Sequence, residues 1–329
     1  MKSWIIRQAG GPEVLELRDV AADVAREGEV TVKVEAIGVN AADRYRRLGA
    51  MGPIEGEVTP GIEAIGTVID APSGSLPLGT RVATVMGGMQ FDRRGAYAEQ
   101  VTVLASNVTP LPPTSLSLGD LASIPELYLT AWGAVERDLG IREGETLVVR
   151  GASAALGLAA TAFASNILGA RVIAVVRNLD HADRVRQFGA TDVVHDGEGW
   201  VDRVRAMVPD GADGVLDVVG GEGITEATFI VRPFRKVVVV GLLAGPPVLD
   251  GVNLMADLAP ATSVGFFPSQ LLGTPSLPLA DAPLAEIIEA VSDGRIPSLT
   301  TRVFGFDEVR EVHELLEAPR EPGKFVIVL

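Results

Sequence analysis

The stretch "LVVRGASAALGLAATAF", Leu147 to Phe163, decides the fold. A β-branched apolar run stops at Gly151, Gly157 follows six residues later, and an alanine-rich segment of helical character comes next. Strand, tight turn and helix in that order make a phosphate cradle. The first glycine lets the backbone turn, and the last lets the helix pack closely on the sheet. The helix start then offers free N–H groups to a pyrophosphate. The middle of the turn reads Ala154-Ala155, where a dinucleotide-binding turn carries its second glycine. The turn alone therefore leaves plain strand-to-helix packing open as a second reading.

The flanking sequence narrows the choice. Apolar runs begin near Leu147, Val172, Val193, Val215, Val237 and Ser263, about 21 to 26 residues apart. That is the length of one strand-helix-strand step, so a doubly wound parallel sheet with right-handed crossovers follows. "VIAVV" and "VVVV" do not alternate, as expected of strands covered on both faces. Before about Leu118 the texture differs. Short alternating runs such as "EVTVKVEAIGV" and "AYAEQVTVL" stand between Gly, Pro and Asp, which suits an antiparallel barrel or sandwich. After Phe267 the parallel rhythm ends, and a Pro-rich connection leads through a helix to a last strand, "KFVIVL".

The whole chain of 329 residues is long enough for two domains with sizeable cores. A net charge of −15 repels nucleic acid and anionic membrane, so neither is expected as a partner. No cysteine is present, which removes disulfides, thiolate metal sites and a cysteine nucleophile. The apolar run before Gly10 is too short for a signal-peptide core, and no run reaches a membrane span. A cytoplasmic location is expected.

A site for a dinucleotide with free ribose hydroxyls carries Asp or Glu about 20 residues past the glycines. Here "VIAVVRNLDHADR" puts Arg177 and Asn178 at that strand end. A guanidinium suits a 2′-phosphate, so NADPH is the expected cofactor. His181 and Arg184 lie one and two helical turns further on and could assist. The alternative for Arg177 is a solvated residue at a strand end.

The motifs "GVNAADRYRRLG", "TPGIEAIGTV", "LTAW", "GETLVVRGASAALG", "LGARVIAV", "VVVVGLL" and the terminal "GKFVIVL" occur in one order along the chain. In that order the chain resembles the medium-chain dehydrogenase/reductase superfamily, and more narrowly its zinc-free quinone oxidoreductase (zeta-crystallin-like) branch. The resemblance implies a GroES-like β-barrel catalytic domain built from both ends of the chain, with a Rossmann domain inserted. With the changes of texture, this gives residues 1–118 and 268–329 to the catalytic domain and 119–267 to the NADPH-binding domain. It also implies a homodimer formed through the edge of the Rossmann sheet.

Zinc members of the superfamily carry cysteines and a Gly-His-Glu segment. This chain reads Gly61-Ile62-Glu63, and His181, His195 and His313 have no ligand-like spacing. No metal is expected. Without a Lewis acid an alkoxide lacks its usual stabilisation, whereas a quinone or enone is already electrophilic. The close quinone reductases carry a Lys where His181 stands and a Tyr where Asp196 stands, and an acid beside an adenosine phosphate would repel it.

The resemblance also places residues at the cofactor: Asn40 and Thr130 near the nicotinamide, Gly151 and Ser153–Ala154–Ala155–Leu156–Gly157 at the pyrophosphate, and Arg177, Asn178 and His181 at the adenosine end. Gly241, Leu242 and Phe267 follow the last parallel strands, and Lys324 matches the terminal Gly-Lys. Lys324 could reach the cofactor or form a surface ion pair. Tyr45 matches the tyrosine of the quinone reductases, where a phenol can stabilise a developing enolate or hydroquinone oxygen. The alternative is that Tyr45 packs and water delivers the proton. Asp43 is expected to bond its own loop, Trp132 to be core, and Arg46, Arg47, Arg93 and Arg94 to be solvated surface. Three functions stay open: a zinc-independent, NADPH-dependent reductase of quinones or α,β-unsaturated carbonyl compounds, an enoyl-thioester reductase of the same fold, and an NADPH-binding protein without turnover.

Overall fold

The computed structural model describes residues 1–221, 223–245, 248–318 and 322–329. The chain forms two units. The first comprises Met1–Glu126, Ser269–Ser292 and Ser298–Leu329, and the second Leu127–Pro268 with Asp293–Pro297.

The first unit opens with a small antiparallel pair, β1 (Lys2–Ile5) and β2 (Glu16–Asp19). Its main sheet uses β3 (Glu29–Gly38), β4 (Glu63–Asp70), β5 (Arg81–Val85), β6 (Gln100–Leu104) and β7 (Val108–Pro110). The organiser is β3. One edge pairs antiparallel with β4. The other edge is shared: Glu29 to Lys33 pair with β6, while Ala36 to Gly38 pair with the last strand of the chain. Short alternating runs with turn residues between them produce this meander, as expected for a barrel-like layer. Helix α1 (Ala41–Arg47) leaves the end of β3, and α2 (Leu118–Ala122) follows β7. The core is built from inward residues of these strands, including Val30, Val32, Val101, Val103 and Ile327.

The second unit starts within α3 (Pro125–Trp132), where Trp132 is 1% exposed and belongs to the core as expected. Six parallel strands follow: β8 (Thr146–Arg150), β9 (Arg171–Val176), β10 (Asp192–His195), β11 (Gly214–Asp217), β12 (Lys236–Val239) and β13 (Ser263–Phe266). Each begins within about a residue of its expected start. Their spatial order, β10-β9-β8-β11-β12-β13, reverses direction between β8 and β11. The connections carry α4 (Ala155–Ala162), α5 (Ala182–Gln187), α6 (Trp200–Met207) and α7 (Gly223–Ala227). The doubly wound α/β class is therefore what the chain adopts. Strands buried on both faces explain the unbroken Val and Ile runs.

The chain then returns to the first unit with α8 (Leu284–Ser292), β14 (Thr300–Gly305), α9 (Val309–Leu315) and β15 (Lys324–Val328). Strand β15 lies between β14, to which it is parallel, and the end of β3. No described helix is long and apolar enough to cross a membrane.

Candidate active site

In the second unit the site begins where β8 ends. Gly151 has φ +76, and a Cβ there would lie 2.9 Å from the Val219 side chain. This position needs glycine. A Cβ on Gly157 would overlap the Gly151 carbonyl oxygen, so the last glycine is fixed by the close approach of α4 to its own turn. Ala154 precedes α4 in ordinary extended geometry, φ −69 and ψ 158, which any residue adopts. Alanine therefore meets no backbone penalty at this position. The first helical bond there runs from Leu158 N–H to the Ala154 carbonyl at 2.8 Å. The N–H groups of Ala155, Leu156 and Gly157 thus have no intrahelical acceptor. Ser153, Ala154, Ala155 and Leu156 are all half-buried. The turn fits a pyrophosphate, because its donors are free and the space a Cβ would fill at Gly157 is closed by backbone alone.

Around it the strand ends present the other expected residues. Arg177 is exposed at the end of β9 and makes no ion pair among the described residues. Asn178 is committed to its own loop: its Oδ1 accepts from Asp180 N–H at 2.9 Å. His181 is half-buried, and the Arg184 guanidinium lies 4.7 Å from the Phe188 ring centroid. A Cβ on Gly241 would overlap the Val218 carbonyl, so the backbone crosses closely there, with Leu242 half-buried beside it. Phe267 is core, at 4% exposure, and its N–H donates to the Val239 carbonyl at 2.9 Å. Thr130 is buried in α3. Asp196 is not a bare acid: its carboxylate pairs with Arg150 at 3.2 Å.

In the first unit the expected residues Asn40 and Lys324 meet in a buried polar cluster. The Lys324 ammonium, 2% exposed, pairs with Glu63 and donates to Asn40 Oδ1 at 3.0 Å. Asn40 Nδ2 donates to Glu63 Oε1 at 2.8 Å and to the Gly38 carbonyl at 3.1 Å. Glu63 Oε2 accepts from Glu126 N–H at 2.9 Å. The surface ion pair considered for Lys324 is therefore an interior one. Two isolated opposite charges at the heads of apolar strands, Glu63 in "GIEAIGTV" and Lys324 in "KFVIVL", were the signal that these residues face each other.

A second chain of hydrogen bonds starts at the same loop. Asn40 N–H donates to Asp43 Oδ2 at 2.8 Å, closing the start of α1 and matching the structural role expected of Asp43. Tyr97 Oη donates to the same oxygen at 3.3 Å and lies 3.2 Å from His313 Nε2. Arg47 Nε donates to His313 Nδ1 at 3.1 Å, which puts the imidazole proton on Nε2, facing Tyr97. Arg47 then pairs with Glu317, which also accepts from Arg44. Arg46 and Arg47 are buried, at 6% and 0% exposure, and correct the expectation of solvated charges. Arg46 spends its guanidinium on the carbonyls of Gln90, Gly52 and Pro53. Burial pushes the Asp43 carboxyl up to about 7, against the Asn40 N–H that favours its anion. Burial, with Arg47 beside it, holds His313 down to about 3. Tyr45 stands on the other face of α1, half-buried, with the Arg44 guanidinium 5.9 Å from its ring centroid.

Comparison with known proteins gives a consistent picture. The family model described as Alcohol dehydrogenase GroES-like domain matches residues 26–113, and the one described as Zinc-binding dehydrogenase matches residues 155–267. A quinone oxidoreductase of Mus musculus is 29% identical over 268 residues, covering 78% of this chain and 77% of its own length. A mycobacterial protein solved in complex with NADPH is 28% identical, with a TM-score of 0.84 and complete coverage of both chains (100%). A mycobacterial quinone oxidoreductase structure is 26% identical, with a TM-score of 0.85 over 100% of both chains.

Proposed function

The chain belongs to the medium-chain dehydrogenase/reductase superfamily, in its quinone oxidoreductase branch, and on that premise we propose that it uses NADPH to reduce quinones or α,β-unsaturated carbonyl compounds without zinc. It is an NADPH-dependent oxidoreductase. The observation that carries the cofactor reading is the pairing of a free-donor turn at Ala155–Gly157 with an exposed Arg177 at the next strand end that forms no ion pair among the described residues. The donors face a pyrophosphate, and the guanidinium supplies a permanent charge to a 2′-phosphate. In this reading residues 119–267 bind the cofactor, and both ends of the chain form the catalytic domain.

When bound, the nicotinamide supplies a hydride. The chain's own part is alignment and charge. The Lys324–Glu63–Asn40 cluster holds the loop that starts α1, and Tyr45 on that helix donates to the substrate oxygen that gains negative charge. The zinc-free part rests on the donor set. The chain has no cysteine, Ile62 is 1% exposed in the core where zinc members carry histidine, and the described residues gather no cluster of three metal-ligating side chains. A homodimer formed along β13 completes the reading. That strand is the outer edge of its sheet, Phe266 on it is 50% exposed, and Met255 in the preceding loop is 96% exposed.

The test is an NADPH-oxidation screen over quinones, enones and enoyl thioesters, with a primary alcohol and NADP⁺ as the control. Turnover on quinones or enones supports the proposal. Turnover confined to enoyl thioesters reassigns the substrate, and tight NADPH binding with no turnover points to a non-catalytic role. Alcohol oxidation as fast as the best quinone or enone overturns the reaction class.

A further inference from the structure

Asp196 stands in a position that works against the site, and the structure shows how its charge is handled. Strands β9 and β10 run parallel with Val176 opposite His195. One step further that register brings Asp196 beside Arg177, and Asp196 N–H does bond the Val176 carbonyl at 2.8 Å. A carboxylate there has two ways to weaken binding of a 2′-phosphate: it can pair with Arg177 and cancel its charge, or it can repel the phosphate directly. Among the described residues Asp196 forms no ion pair with Arg177. The Asp196 carboxylate turns instead to Arg150, whose Nε lies 3.3 and 3.2 Å from its two oxygens.

Arg150 is placed for this by three strands. It ends β8, it is level with Asp217 on β11, and it reaches past β9 to the end of β10. Its Nη1 donates to Asp217 Oδ2 at 3.1 Å, its guanidinium lies 5.2 Å from the Trp200 ring centroid, and only 11% of its side chain is exposed. Asp217 is fully buried and its other oxygen accepts from Val219 and Gly220 N–H. The planar fork of one arginine therefore serves two carboxylates that point at it from different strands. A lysine, with a single point charge, would stay with the buried Asp217 and leave Asp196 loose.

We propose that Arg150 is a specificity-determining residue: by sequestering Asp196 it keeps Arg177 free to meet the adenosine 2′-phosphate, and so sets the preference for NADPH over NADH. Arg150 acts through Asp196 and Arg177, without touching the phosphate. The proposal rests on the cofactor reading given above.

The experiment measures dissociation constants for NADPH and NADH at low salt in R150K, D196N and R150K/D196N, with R177A as the reference for the underlying reading. R150K is expected to bind NADPH roughly ten-fold more weakly and NADH within about two-fold of the unmodified protein. Adding D196N should restore most of the loss. D196N alone should change neither constant by more than about two-fold, because the acid is already masked. Unchanged NADPH binding in R150K, equal losses for both cofactors, or no rescue by D196N overturns the proposal. If R150K does not fold, D196N decides alone: a ten-fold gain in NADPH affinity means the acid was never masked. Failure of the cofactor reading looks different, since R177A would then leave the NADPH to NADH ratio of the unmodified protein intact.

Discussion

Tyr45 and Asp43 sit on opposite faces of α1, and this separation divides their roles. Asp43 is locked under Asn40 and Tyr97, while Tyr45 is half-buried with the Arg44 guanidinium near its ring. If Tyr45 donates to the oxygen that gains charge, Y45F lowers kcat by roughly ten- to a thousand-fold with little change in NADPH affinity. A kcat within about two-fold of the unmodified enzyme would assign the proton to water. Asp43 makes a different prediction. Its folded value of about 7 lies above the ordinary carboxylate range, so its contribution to stability is complete at low pH and is lost as pH rises through about 7. Replacing it removes that contribution. Urea unfolding of D43N should therefore show a stability deficit that grows by about 1.4 kcal/mol per unit as pH falls from 7 towards 4. A deficit constant across that range would show that Asp43 does not titrate there. Single residues were the least legible scale in the sequence. Arg47 sits in "RYRRLG" like any charged helix end, and nothing local shows that His313 and Glu317, far along the chain, wait to receive it.

Elements were far more legible, because their patterns are local. The parallel strands announce themselves by unbroken β-branched runs at a regular interval, and Gly151 and Gly157 each answer a backbone need visible in the motif. The sharing of one β3 edge by β6 and β15 was hidden, since it joins segments from both ends of the chain. At that junction the Lys324–Glu63 pair bridges β15 and β4 with both side chains 1% exposed. Removing one partner leaves a bare interior charge, and K324M or E63Q should each cost about 3–5 kcal/mol in chemical denaturation. The double replacement K324M/E63L should recover much of that loss. If the double variant is as unstable as the sum of the two singles, the pair is not the source of the cost.

At the scale of the whole molecule, the doubly wound sheet was legible from texture alone, whereas the GroES-like layer needed the resemblance, because its strands alternate like those of many antiparallel folds. The donor set makes a prediction at this scale too. Elemental analysis of the purified protein should find no stoichiometric zinc, and chelators should leave its rate unchanged; one zinc per chain would contradict the reading. The central claim joins both strand ends to one cofactor, and a matched titration of NADPH and NADH tests it most directly. The unmodified protein should prefer NADPH by roughly ten- to a hundred-fold, the scale of a charge-assisted phosphate contact, and R177A should erase most of that gap while NADH binding stays nearly unchanged. Equal dissociation constants for the two cofactors in the unmodified protein would contradict the account.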